Sequence, residues 1–269
     1  MVKTLLKHEF MGLGRFLTPM YIILVALAVI TRVIAFFETD GLIYDIVLGS
    51  SIAVLLIAMM VALIYTIVCC VIRFYKNLFS KEGYLTFTLP VSATGHLLTK
   101  LFTAVVYYLA TCTLIFVCFC IAASGDLLIE IIKAAGYILG KAAHTLGANL
   151  GLYFAELALY MLVAICSGML LFYACMCIGQ LARKNRILLA LGIYFGYYYI
   201  IQIIVTIFIM YLASIENTPA FLNILDWVAL NPIVAVHSWI LGLTAVNVVM
   251  GGVYYLIAHT IIKKKLNLE

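Results

Sequence analysis

Apolar residues in this chain do not alternate with polar ones; they run together. Six stretches, roughly 16–37, 46–72, 97–123, 155–181, 187–213 and 238–262, are almost unbroken series of aliphatic and aromatic side chains. A helix needs about 20 such residues to cross a bilayer, so each stretch predicts a spanning helix. Continuous runs also exclude a porin-like barrel, whose strands alternate lipid-facing and lumen-facing residues. Two further segments carry helical periodicity of a different kind. Over 1–16, Val2, Leu5, Leu6, Phe10, Leu13 and Phe16 share one face, with Lys3, Lys7, Glu9 and Arg15 off it. That pattern predicts an interfacial helix leading into the first span. Over 126–146, Asp126, Glu130, Lys133, Tyr137, Lys141 and His144 recur every three or four residues, with Leu127, Leu128, Ile131, Ile132, Ile138 and Leu139 largely opposite. Each charge at the bilayer centre would cost roughly 2.5–3.5 kcal/mol, so this is expected to be an amphipathic helix lying on the membrane surface. Thr218-Pro219 and Asn231-Pro232 each pair a capping residue with proline at the first helical position. They predict two short helices within 219–238, at about 219–229 and 232–238.

Composition agrees with this pattern. Of 269 residues, 67% are apolar and 10% charged, against roughly 45–50% and 25% in ordinary soluble domains. With mean hydropathy of +1.22, a secreted disulfide scaffold, a disordered chain and a cytosolic enzyme are excluded. The expected fold is a single all-α membrane domain over 1–269 with six spans.

Charge then orients the spans. With the N-terminus in the cytoplasm, the inner segments hold Lys3, Lys7, Arg15, Arg73, Lys76, Lys81, Lys100, Arg183, Lys184, Arg186, Lys263, Lys264 and Lys265, while Arg32, Lys133 and Lys141 fall outside. Basic residues favour the cytoplasmic side, so both termini are expected there, with 126–146 and 219–238 on the outer face. Ala26-Leu27-Ala28 resembles a signal-peptide cleavage site, but the apolar run continues through Phe37, longer than a signal core.

Candidate chemistry is sparse. The eight cysteines, Cys69, Cys70, Cys112, Cys118, Cys120, Cys166, Cys175 and Cys177, all lie within apolar runs, and none forms CxxC; they are expected to be packing residues, with no metal site. No Walker A, HExxH or GxSxG pattern occurs, and no catalytic residue is assigned. Glu156, near the outer end of span four, either reaches headgroups and water or lines an exit path. Gln202 and Asn247 are expected to hydrogen-bond between helices, and Gly192/Gly196 offers a GxxxG packing surface. Tyr194, Tyr197, Tyr198 and Tyr199 lie deep in span five. Their hydroxyls need partners there, supplied either by a wet cavity or by neighbouring helices.

The connection between spans two and three is far longer than a reversal needs. It covers 73–96 within the stretch RFYKNLFSKEGYLTFTLPVSATGHLLTK (Arg73–Lys100). Pro90 ends any local helix at Leu89, and Ser92 is placed to cap span three. Basic flanks around Leu85, Phe87 and Leu89 suggest docking onto a soluble partner; the other reading is a loop folded over the base of the bundle.

This segment resembles the corresponding part of ABC-2-type transporter permeases, especially those of Gram-positive bacteria. The string EGYLTFTLP and the basic residue that follows it, Lys100, are the most similar features. The six-span plan, interfacial N-terminal helix and short outer helices agree along nearly the whole chain. The resemblance implies an ABC-2 (type V exporter-like) permease fold in a bacterial plasma membrane, with two permease copies, or one and a homologous permease, working beside separate ATP-binding-cassette subunits. ATP and Mg would then sit on the ATPase, with no cofactor on this chain and no nucleic-acid partner. Glu82, Gly83, Tyr84, Leu85, Phe87 and Leu89 would couple to the ATPase, and Tyr194, Tyr197, Tyr198, Gln202 and Glu156 are candidates for a translocation path. The cargo class associated with such permeases is an amphipathic peptide or antibiotic. The alternatives are a membrane anchor or sensor that recruits a partner without transport, an ion-gradient-driven transporter and an intramembrane enzyme; the last lacks paired acids or histidine ligands within its spans.

Overall fold

The computed structural model describes residues 2–37, 41–79, 92–123, 125–147, 149–182, 185–216 and 218–264. Regular structure among these residues is helical throughout: α1 (Val2–Phe36), α2 (Leu42–Phe79), α3 (Ala93–Ala122), α4 (Gly125–Leu146), α5 (Asn149–Gly179), α6 (Arg186–Ile215), α7 (Pro219–Leu230) and α8 (Pro232–Lys264). Six of these, α1, α2, α3, α5, α6 and α8, are long and apolar enough to cross a membrane. The chain is therefore a multi-pass helical membrane protein. It forms two compact units, Met1–Ala142 and Ala143–Asn267.

In the first unit the buried stripe of α1 is Glu9, Leu13, Leu17, Leu24, Ala28 and Thr31, a series of three-, four- and seven-residue steps that keeps one helical face inward. It meets Leu55, Met59, Ala62, Thr66, Cys70, Phe74 and Leu78 of α2 and the Thr103, Ala104, Thr111 and Cys118 face of α3. Leu24, Ala28, Leu55, Met59, Ala62 and Cys118 form its apolar centre. A polar seam runs beside that centre. The Tyr21 hydroxyl lies 2.8 Å from Thr111 Oγ1, Thr111 lies 3.0 Å from Thr66 Oγ1, and Tyr107 donates to the Phe10 carbonyl at 2.8 Å. In hydrocarbon such groups must find partners within the protein, and here they do so between helices.

Several expected boundaries move. The interfacial helix and first span are one 35-residue helix with Pro19 inside it; proline removes only the donor to the Arg15 carbonyl and does not end the helix. Phe16, placed on the inward face by the pattern, is half-exposed, and Glu9, placed off it, is buried. Segment 126–146 is helical as expected and is not among the helices apolar enough to span. Ser92 caps α3 through Gly95 N at 3.2 Å, and Thr218 caps α7 through Phe221 N at 3.4 Å. The separate helix expected at 232–238 is instead the opening of α8. Pro232 starts that helix, and nothing at 238 interrupts it. Asn231 serves the helix behind it, its side-chain amide donating to the Trp227 carbonyl at 3.2 Å.

In the second unit α5 and α8 run parallel. Tyr153 near the start of α5 donates to the Ile233 carbonyl near the start of α8 at 2.8 Å, and Gly251 lies against Ser167 midway along both. The antiparallel α6 follows a turn through Asn185, whose φ of 55° is a left-handed conformation that asparagine tolerates better than most residues. Gly179 is where α5 and α6 touch: a Cβ there would lie 2.7 Å from Ala190 Cβ and 2.7 Å from the Arg186 carbonyl oxygen. By contrast a Cβ on Gly192 or Gly196 would meet nothing within 4 Å. The packing role expected for that pair is not found within the unit; the residue that needs to be glycine lies on the neighbouring helix. Asn247 departs from expectation too, donating to the Leu243 carbonyl of its own helix at 2.9 Å. All eight cysteines are thiols, with Cys70, Cys118, Cys175 and Cys177 buried.

Gly179→Ala should lower the thermal stability of the protein in nanodiscs by the equivalent of about 1–3 kcal/mol, the usual range for overpacking. Gly192→Ala and Gly196→Ala should be neutral or stabilising by up to about 1 kcal/mol through helix propensity.

Candidate functional site

The most densely built polar site joins the N-terminal part of α1, the C-terminal end of α2 and the beginning of α3. Its centre is Glu9, whose side chain is only 6% exposed. Oε2 accepts from Arg73 Nε at 2.7 Å, and Oε1 accepts from Lys100 Nζ at 2.7 Å and Asn77 Nδ2 at 2.9 Å. Arg73 also donates through Nη2 to the His8 carbonyl at 3.2 Å. The carboxylate thus uses three acceptor positions on groups from two other helices. Its two cationic partners differ in burial, Lys100 at 5% exposure and Arg73 at 21%.

Local sequence explains how these groups meet. Glu9 stands four residues before Leu13 and eight before Leu17, on the same inward face. Arg73 reaches it across bare backbone, because a Cβ on Gly12 would lie 1.9 Å from Arg73 Nη2. Two residues on, Gly14 gives the same clearance to the Tyr107 hydroxyl, 2.7 Å from where a Cβ would be. Arg73 and Asn77 lie one turn apart on α2, and Lys100 projects from α3 two turns after the Ser92 cap. Taking charges out of water is expensive, and removing one member of a buried pair leaves the other uncompensated at about 3–5 kcal/mol. Glu9 therefore acts as a clamp: any displacement of one of the three helix ends must carry the others or break these bonds.

The clamp has a particular place in the chain. Arg73 and Asn77 precede residues 80–91, and Lys100 follows them. Glu82, Gly83, Tyr84, Leu85, Phe87 and Leu89, the expected coupling residues, lie outside the described residues. Of the cluster, only Lys100 is singled out in the sequence, and that by the resemblance of its segment to permeases.

The candidate path residues are not gathered into one site. Tyr194 stacks on Phe172 with ring centroids 4.7 Å apart. Tyr197 and Tyr254 hydroxyls hydrogen-bond to each other across α6 and α8, and Tyr198 packs its ring edge-on to Tyr197. For Tyr197 the choice between a wet cavity and helix–helix bonding falls to the second. Tyr198, Tyr199 and Gln202 are exposed on α6. Glu156 belongs elsewhere: its Oε2 lies 2.7 Å from His237 Nδ1, in a pair whose side chains are 13% and 16% exposed. Tyr153 stacks on that imidazole at 4.0 Å and 5°. Glu156 thus ties α5 to α8, a partnership that an isolated acid and an isolated histidine 81 residues apart do not announce. No group of three or more metal-ligating side chains occurs among the described residues.

Comparison with family models, with curated proteins and with solved structures finds no match for this chain.

Glu9→Gln should destabilise the protein by about 3–5 kcal/mol, read as a large fall in its melting temperature in nanodiscs. In a double-mutant cycle with Lys100→Met, the second substitution should cost much less in the Glu9→Gln background than alone, because it removes a cation already stripped of its counter-charge. Additive effects would mean that the two groups do not form a clamp.

Proposed function

We propose that this chain is the transmembrane permease subunit of an ATP-driven exporter of the ABC-2 type, acting with a separate ATP-binding-cassette subunit. The observation that carries the reading is the Glu9 clamp, which binds together the helix ends on both sides of 80–91 and the helix that opens the chain. A segment that receives force from an ATPase needs such a footing; a flexible connection would dissipate the motion before it reached the spans. The resemblance of EGYLTFTLP to permease coupling segments and the six apolar helices support the same reading.

On this account residues 80–91 face the cytoplasm, the side favoured by the basic residues, and rest against the ATPase. Tyr84, Leu85 and Phe87 are its apolar anchors, and interface energy concentrates in a few residues of this kind. Glu82 supplies a carboxylate for a basic group of the ATPase, and Gly83 permits close approach. Phosphoryl transfer belongs to the partner, whose Mg-ATP site does the chemistry. Nucleotide-dependent closure of two ATPase subunits moves the coupling segments, and the clamp passes that displacement to α1, α2 and α3 together. Differential binding of nucleotide to two conformations is the source of free energy for the switch. Two permeases share the path, with an amphipathic peptide or antibiotic as cargo.

One observation favours a second reading. The largely buried Glu156–His237 pair sets a carboxylate and an imidazole 2.7 Å apart near the starts of two long apolar helices, and ionisable side chains in such helices are the kind of element that an ion-gradient-driven transporter uses. Such a transporter would work without an ATPase, and the experiment separates the two.

Co-purification with the ATPase and cargo export at matched expression form that experiment. Glu82→Ala and Phe87→Ala should leave the chain folded and inserted while weakening ATPase association or uncoupling hydrolysis from export. Lys133→Ala should leave association intact. Normal binding and export in both coupling variants, or export by this chain under a proton gradient with no ATPase present, would overturn the proposal.

A further inference from the structure

The first unit carries an apolar trough lined by none of the candidate path residues. It lies between α1, α2 and α3 and has a volume of about 480 Å³; a smaller hollow of about 370 Å³ lies between α1 and α2. The trough falls within the roughly 300–1,000 Å³ of small-molecule sites. Its floor is Thr31, Leu55, Met59 and Ala123, all buried, and Ile52 and Leu56 stand exposed along its wall. The polar atoms that could break this surface are turned to backbone: the Thr31 hydroxyl donates to the Leu27 carbonyl at 3.0 Å and Tyr44 to the Ala35 carbonyl at 3.4 Å. What remains is a hydrocarbon surface.

Length and charge narrow the occupant. From Tyr44 to Met59 the lining follows α2 for about 22 Å at 1.5 Å per residue, more than the roughly 15 Å of one leaflet of a 30 Å hydrocarbon core. Arg32 sits at one end. It follows Thr31, stands one turn before Ala35, and donates through Nη1 to the carbonyl of Ala123 at 3.2 Å; all three of these neighbours line the trough. Neither Arg32 nor Asp45, next to Tyr44, lines the trough itself; Arg32 is the one held to it, through its bond to the lining residue Ala123. The arrangement is an apolar channel longer than one leaflet, with a cation held beside its rim. An arginine guanidinium pairs with a phosphate through charge-assisted, often bidentate hydrogen bonds, the chemistry of an anionic lipid headgroup.

The geometry points to a binding site for one anionic phospholipid, an acyl chain lying along α2 and the phosphate at Arg32. The simpler role for Arg32, capping the last carbonyls of α3, needs only a donor, whereas lipid selection needs a charge. Gln keeps a donor and removes the charge; Lys keeps the charge.

The test uses the full chain in nanodiscs of equal phosphatidylglycerol and phosphatidylcholine, with retained lipid identified by native mass spectrometry after gentle release. The wild type should retain one phosphatidylglycerol at least tenfold over phosphatidylcholine. Arg32→Gln should bring that ratio to within twofold, Arg32→Lys should largely keep it, and Ala122→Phe, which fills the trough, should lower retention of both lipids. Inorganic phosphate at millimolar concentration should not displace the lipid. Equal retention by the wild type, an unchanged preference in Arg32→Gln, unchanged retention in Ala122→Phe, or displacement by phosphate alone would each overturn the assignment.

Discussion

A single buried carboxylate organises the first unit. Glu9 is held at 2.7 Å by both Arg73 and Lys100, and each of the three lies on a different helix. An acid in such surroundings is stable only while its partners stay close, so the ends of α1, α2 and α3 are fixed relative to one another by charge as well as by packing. The apolar contacts farther along the helices, Leu24 and Ala28 against Leu55, Met59 and Cys118, have no such directionality. They keep the helices together; the clamp fixes their register. Gly12 and Gly14 belong to the same arrangement, because Arg73 and Tyr107 occupy the space their side chains would take.

The second unit solves the same problem with other groups. Its parallel pair, α5 and α8, is joined near the helix starts by Glu156 and His237 and by Tyr153, which both stacks on the imidazole and bonds the Ile233 carbonyl. Farther along, Tyr197 and Tyr254 join α6 to α8, while close backbone approach at Gly179 joins α6 to α5. Beyond that contact α6 is exposed, with only Ala190 buried among its described residues. Polar pairs at defined positions thus set orientation in both units, as expected where lipid supplies no hydrophobic drive for one helix to choose another.

Much of the fold is legible in the chain itself. The six spans follow from run length and charge content, which are local properties, and the caps at Ser92 and Thr218 follow from short motifs. The site is less legible because its parts are long-range. Glu9 reads as the polar side of an amphipathic helix until Arg73 and Lys100 are seen to reach it; only the four-residue steps from Glu9 to Leu13 and Leu17 hint otherwise. Glu156 and His237 each look like a solitary polar residue, and nothing local pairs them. Pro232 opens a helix as its motif predicts, but the tryptophan and apolar run that follow it are compatible with either a break or a continuation. Gly192 and Gly196 match a packing motif by spacing alone, whereas Gly179, at a helix end with no motif, is the position where two backbones meet.

If the clamp transmits force, its effect must be visible in the coupling of ATP use to transport, beyond its effect on folding. The direct measurement compares ATP turnover and cargo export in proteoliposomes containing the ATPase with either wild-type chain or Glu9→Gln at equal, verified amounts of folded protein. The account predicts continued hydrolysis with export reduced at least tenfold in Glu9→Gln, because the ATPase still docks on 80–91 but its motion no longer reaches α1. Export per ATP equal to that of the wild type would contradict it.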